Sequence, residues 1–144
     1  MFKQILVTLD GSDTAEKALD YAIDLARKDN AGLTLLTVVE PRDSTSRTLP
    51  PEMFEPYPEE VKAGHMAILN RSLKKVQEKA PEVEVDTKIA YGNAANLIVE
   101  TCKEGTYDLV VMGSRGRGGI KGLLLGSVSR SVANEAPIPV LIIK

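Results

Sequence analysis

Short apolar runs alternate with longer amphipathic stretches along the whole chain. Ile5-Leu6-Val7 predicts a first strand over about residues 3–9. Leu33 to Val39 predicts a second, and Leu109 to Met112 a fourth. Pro139-Val140-Leu141-Ile142-Ile143 predicts a fifth. The third, Val83 to Ile89, reads V-E-V-D-T-K-I, the alternation of a strand with one wet face. The unbroken apolar runs imply strands covered on both faces, as in a parallel sheet. Between them Ala15, Ala18, Leu19, Ala22, Ile23, Leu25 and Ala26 recur at helical spacing. Ser12 or Asp13 is placed to cap that helix, with Glu16 completing a capping-box pattern, and Asn30 and Gly32 flank its end. Further helices are expected over Glu59–Ala80, Ala94–Lys103 and Ser127–Glu135, the first of these stopped by Pro81 and the last by Pro137. Strand and helix therefore alternate, which implies right-handed crossovers and one doubly wound α/β sheet with helices on both faces.

One stretch breaks the alternation. Residues 40–58 carry Pro41, Pro50, Pro51, Pro56 and Pro58 and read as a long loop, either a lid or a mobile segment. The 144 residues are otherwise expected to form one domain, 1–144, with no linker and no internal repeat. Two Phe, four Tyr and no Trp leave little for stacking single-stranded nucleic acid. A net charge of −2 gives no long-range attraction to DNA or anionic lipid, so neither is expected as a partner. The lone cysteine, Cys102, excludes an intrachain disulfide and fits a cytoplasmic setting. The first ten residues show no secretory signal, and no apolar run is long enough to span a membrane.

Open parallel sheets bind ligands beyond the carboxyl ends of their strands, where the strand order reverses. Two loops qualify: Leu9-Asp10-Gly11-Ser12 and the stretch from Met112 to Gly122. Six of the eleven glycines lie between Gly113 and Gly126. Arg115, Arg117, Lys121 and Arg130 make residues 113–134 locally positive, with no acidic residue among them. Glycines admit close backbone approach and turns with positive φ, exposed amides form an anion nest, and Gly126-Ser127 opens a helix whose first amides are free donors. The same composition also describes a flexible surface turn with solvated arginines. Neither GxxxxGK[ST] nor GxGxxG is present; from Gly116 and Gly118 the last glycine position falls on Lys121.

The spacing Gly113-x2-Gly116-x9-Gly126-Ser127 resembles the G-2x-G-9x-G-[S/T] signature of the universal stress protein family. The surroundings are similar too: Asp108 to Gly116, Leu124 to Ser129, Ile5-Leu6-Val7 with Asp10-Gly11-Ser12, and Pro139 to Ile143. The resemblance covers essentially the whole chain and implies a five-stranded parallel sheet of order 3-2-1-4-5. It implies ATP, or another adenine nucleotide, bound with Mg2+ or Mn2+, as in the subclass that keeps the glycines. By position, Gly113, Gly116, Gly126, Ser127 and Val128 are expected along the phosphates and ribose, with Met112 beside them. Thr8 and Val38 are expected to bracket the adenine. Asp10 is expected at the ribose or a divalent ion, and Ser129 near the terminal phosphates. Arg115 stands where family members often differ. The resemblance also implies a homodimer formed through strand 138–143, which would cover an apolar edge.

The function this implies is a nucleotide-dependent stress-response or signalling module. The alternative is a slow ATPase or phosphotransfer protein, with charge from Arg115, Arg117 and a metal at Asp10, although no base or water-positioning residue is evident. A receiver-like domain is excluded by Ile89-Ala90-Tyr91, which offers no phospho-accepting carboxylate. Asp10 has two structural alternatives, a helix cap or a partner of Arg115. His65 is expected to serve at the surface or in packing, Cys102 to be a buried, inert thiol, and Lys74, Lys75, Glu78 and Lys79 to form a solvated helix face.

Overall fold

The computed structural model describes residues 1–42, 50–116 and 125–144. Five strands, β1 (Gln4–Thr8), β2 (Gly32–Val39), β3 (Val85–Tyr91), β4 (Leu109–Gly113) and β5 (Val140–Ile143), form one parallel sheet of order β3-β2-β1-β4-β5. Four helices connect them: α1 (Asp13–Asp29), α2 (Glu59–Lys79), α3 (Ala94–Lys103) and α4 (Ser127–Glu135).

The two-residue period of the strands sends alternate side chains to opposite faces. Ile5, Val7, Leu33, Leu35, Leu109 and Val111 face α1 and α2, where Ala18, Leu19, Ala22, Ile23, Leu69 and Val76 are buried against them. Leu6, Leu36, Val110 and Met112 face α3 and α4, meeting Ile98, Val99, Cys102 and Val132. This double cover explains why β1, β2 and β4 read as unbroken apolar runs.

Local chemistry sets the ends of the elements. Ser12 is the N-cap of α1, its Oγ accepting from the Ala15 amide at 3.2 Å. The capping-box expectation needs correction: Asp10 Oδ1, at 2.9 Å, takes the Ser12 amide, while Glu16 turns to Lys75 at 3.6 Å. Asn30 closes α1 in the left-handed region at φ 56°, and Asn93 caps α3 by accepting from the Asn96 amide at 3.0 Å. The third strand begins two residues later than expected. Its ladder starts where Val85 meets Leu33, whereas Val83 is buried in the turn after α2, its amide donating to Ala80 O at 3.0 Å.

The described ends of the 40–58 stretch are tied together. The Arg42 amide donates to Pro56 O at 2.8 Å, its guanidinium donates to Glu55 O at 3.0 Å, and it lies 5.5 Å from the Phe54 ring centre. A 3-10 turn spans Pro51–Met53, and Tyr57 meets the Tyr91 ring edge-on at 5.2 Å. Residues 43–49 of the expected lid lie outside the described residues.

Candidate functional site

The strand order reverses between β1 and β4. From β1 the chain winds outward through β2 to β3, then crosses back to β4 and continues to β5. The loops leaving β1 and β4 consequently run to helices on opposite faces, and the carboxyl ends of these neighbouring strands open a crevice. A cavity of about 270 Å3 lies there. Thr8, Asp10, Val38, Met112, Gly113, Arg115, Gly116, Gly126, Ser127, Val128 and Ser129 all line it. Residues taken from four separate stretches of sequence thus converge on one space. Its apolar lining is made by Leu36, Val38, Met112, Ala94 and Ile98; its polar lining by Asp10, Ser12, Ser114, Arg115, Ser127 and Ser129, with the bare Gly116 and Gly126.

Three helices begin beside this cavity, and they begin differently. Ser12 caps α1 and Asn93 caps α3, and the Ala94 amide is taken in addition by Glu40 Oε1 at 2.9 Å. The N-cap of α4 is Gly126, which supplies no side-chain acceptor. The first intrahelical bond of α4 runs from the Arg130 amide to Gly126 O at 3.1 Å. The amides of Ser127, Val128 and Ser129 therefore precede the helical ladder, at the positive end of the helix dipole.

The glycines of the motif serve different needs. None of Gly113, Gly116 and Gly126 has positive φ, so the expectation that the motif needs left-handed turns is corrected at these positions. A Cβ on Gly113 would run into Thr14 Oγ1 and, at 2.8 Å, the Ala15 amide nitrogen and Thr14 carbonyl carbon. That glycine admits the start of α1 against β4. Among the described residues, a Cβ on Gly116 would meet only Asp10 Oδ2, at 2.9 Å. A Cβ on Gly126 would make ordinary contacts of 3.5 Å or longer with Arg115 and Ser114. Among the described residues nothing requires Gly126 to lack a side chain, and it lies in the lining of the cavity.

Hydrogen bonds hold the two described ends of the glycine loop together. Ser114 O accepts from the Gly126 amide at 2.7 Å and from Ser129 Oγ at 2.8 Å, while the Ser114 amide donates to Ile143 O at 2.7 Å. Ser129, expected near terminal phosphates, is buried and gives its proton to this clamp. Ser127 is exposed at the cavity and makes no side-chain hydrogen bond among the described residues. Asp10 is neither the cap of α1 nor, among the described residues, in an ion pair with Arg115; its Oδ1 holds the Ser12 amide and its Oδ2 faces Gly116. Arg117 and Lys121 lie outside the described residues.

Sequence reasoning missed Ala94 and Ile98, which belong to the apolar lining, and Ser114. The topology held the signal for the first two. A helix joining β3 to β4 must cross to the face opposite α1 and α2, which brings its start beside the ends of β1 and β2. His65 and Cys102 lie outside the cavity lining. His65 Nδ1 is 2.9 Å from Thr37 Oγ1, and burial pushes the Cys102 thiol up to about 11.

The lining combines hydrogen-bond donors with an apolar surface. Free helix amides and a bare Gly126 match a phosphate, Asp10 offers one carboxylate oxygen, and the apolar lining matches a flat base. Among the described residues no group of three or more His, Cys, Asp or Glu is arranged to hold a metal by itself. No helix among them is long and apolar enough to cross a membrane.

Comparison with known proteins agrees with this geometry. The family model described as the universal stress protein family matches residues 1–144. Universal stress protein YxiE of Bacillus subtilis is 37% identical over 150 residues, covering all of both chains. The solved structure of universal stress protein UspA from Lactobacillus plantarum superposes with a TM-score of 0.81 at 27% identity, over 99% of this chain and 97% of that one. A universal stress protein solved in complex with cAMP superposes with a TM-score of 0.74 at 29% identity, over 99% of this chain and 97% of that one.

Proposed function

The chain belongs to the universal stress protein family, and from that premise we propose that its cavity binds an adenine nucleotide, ATP with Mg2+ or Mn2+ foremost. The observation that carries this reading is the uncapped start of α4 facing a cavity whose lining includes the bare Gly116 and Gly126. A relative solved with cAMP supports the class of ligand.

Each group has a distinct task in this reading. The amides of Ser127, Val128 and Ser129 and the Ser127 hydroxyl donate to phosphate oxygens. Thr8, Val38, Met112, Ala94 and Ile98 enclose the base and exclude water from it. Asp10 Oδ2 holds a ribose hydroxyl or contributes one oxygen to a divalent ion, whose remaining ligands come from phosphate and water. Arg115 supplies positive charge at the mouth. When bound, the nucleotide supplies negative charge that draws these donors together; a ligand shifts the protein only as far as it prefers one arrangement of the loop.

The same proposal extends to the assembly. β5 is an edge strand, paired only with β4, and Val140, Leu141 and Ile142 are half-buried. Pairing of this edge with that of a second copy forms the homodimer on which a loop rearrangement is read out as a stress-response or signalling state.

Titration calorimetry of ATP with Mg2+ tests the site. Wild-type protein is expected to bind, and Gly116→Val to lose binding with unchanged circular dichroism, because among the described residues a Cβ there meets only the movable end of Asp10. Equal affinity in both proteins contradicts the assignment of the phosphate loop.

A further inference from the structure

One contact ties the start of α1 to the glycine loop without facing the ligand space itself. Thr14 is absent from the cavity lining, yet its Oγ1 donates to the carbonyl of Arg115 at 2.8 Å. The approach that permits this bond is the one Gly113 makes possible, since a Cβ there would strike Thr14.

The bond fixes the orientation of a peptide unit. The chain has no cis peptide among its described residues, and in a trans peptide the carbonyl and the following amide point in opposite directions. With the Arg115 carbonyl held toward α1, the Gly116 amide points away from α1. Its nitrogen lies 3.9 Å from where a Cβ on Gly126 would stand, beside the uncapped start of α4. That amide has no acceptor among the described residues. On the other side of Arg115, the Ser114 carbonyl is held by the Gly126 amide and Ser129 Oγ, so neighbouring peptide units are restrained by different bonds.

We infer that Thr14 is a positioning residue: by holding the Arg115 carbonyl it aims the Gly116 amide at the same phosphate that the first amides of α4 bind. The inference rests on the nucleotide reading of the site. It assigns Thr14 no contact with ligand. It predicts that the hydroxyl, not the bulk of the side chain, sets how much phosphate groups add to affinity.

The test compares ATP with adenosine by calorimetry on wild-type protein, Thr14→Val, Thr14→Ala and Thr14→Ser, with thermal melting as the check of folding. Thr14→Val and Thr14→Ala are expected to weaken ATP about tenfold, the loss of a charge-assisted hydrogen bond. Adenosine affinity is expected to stay within about twofold, and Thr14→Ser to restore ATP binding, because it keeps the donor. Thr14→Ala serves if the valine variant does not fold. ATP affinity unchanged in the folded variants overturns the inference and leaves the nucleotide site standing. Equal losses for ATP and adenosine, or a serine variant as weak as valine, also overturn it. Wild-type protein that binds neither compound refutes the nucleotide reading and this inference with it.

Discussion

The three described glycines of the motif share a signature but not a reason. Gly113 is bare because the backbone of α1 lies against it; Gly126 has no such neighbour among the described residues and lies in the cavity lining, where the proposed ligand would sit. Gly113→Ala is therefore expected to destabilise the fold by about 1–3 kcal/mol, the ordinary cost of overpacking. Denaturant unfolding checks it, and a variant as stable as wild type refutes the packing role. The sequence placed this residue in the site but could not show its neighbour, because the contact with Thr14 spans 99 positions. Cys102 was legible: beside Val99 on an amphipathic helix, it is buried and its thiol is pushed from 9.0 up to about 11. A group whose pKa is raised on folding stabilises the fold below its unfolded value and loses that contribution as pH rises through the folded one. Stability is expected to fall by up to about 3 kcal/mol between pH 9 and 11. A Cys102→Ala variant is expected to lack that part of the pH dependence; identical pH profiles would contradict it.

Among the elements, α1 and α3 start with caps of their own while α4 does not. Supplying the missing cap is expected to pit stability against binding. In Gly126→Ser a hydroxyl can accept from the first free amides of α4, adding a few tenths of a kcal/mol to stability. The same amides are then withdrawn from phosphate, so ATP affinity is expected to fall at least about tenfold. Melting and calorimetry on one sample check both signs; a stabilised variant with undiminished affinity contradicts the role given to α4. The bounds of α3 and α4 match those expected from the sequence, α4 through Gly126-Ser127 and the proline after it, while the Asn93 cap of α3 is seen only in the structure. The start of β3 does not, because Val83 continues the alternation of the strand while the ladder waits for the start of β2. The Asp10 turn was hidden for a similar reason. Asp13 and Glu16 have the spacing of a capping box, but the carboxylate that takes the Ser12 amide precedes the helix.

For the whole molecule, alternating strands and helices were enough to give a parallel sheet with two covered faces. The strand order came with the resemblance, and it is the order that opens the crevice between β1 and β4. It also leaves β5 at an edge, and there the assembly is expected to form. Ile142→Asp is expected to shift the protein from dimer to monomer in light scattering; an unchanged dimer removes this edge as the interface. The central claim, that the crevice holds an adenine nucleotide, is tested most directly by denaturing the purified protein and identifying what it releases by mass spectrometry, followed by titration of the emptied, refolded protein with ATP and Mg2+. The account predicts an adenine nucleotide in the extract, or saturable binding of one added back. A protein that releases none and gives no heat with ATP, ADP or cAMP contradicts it.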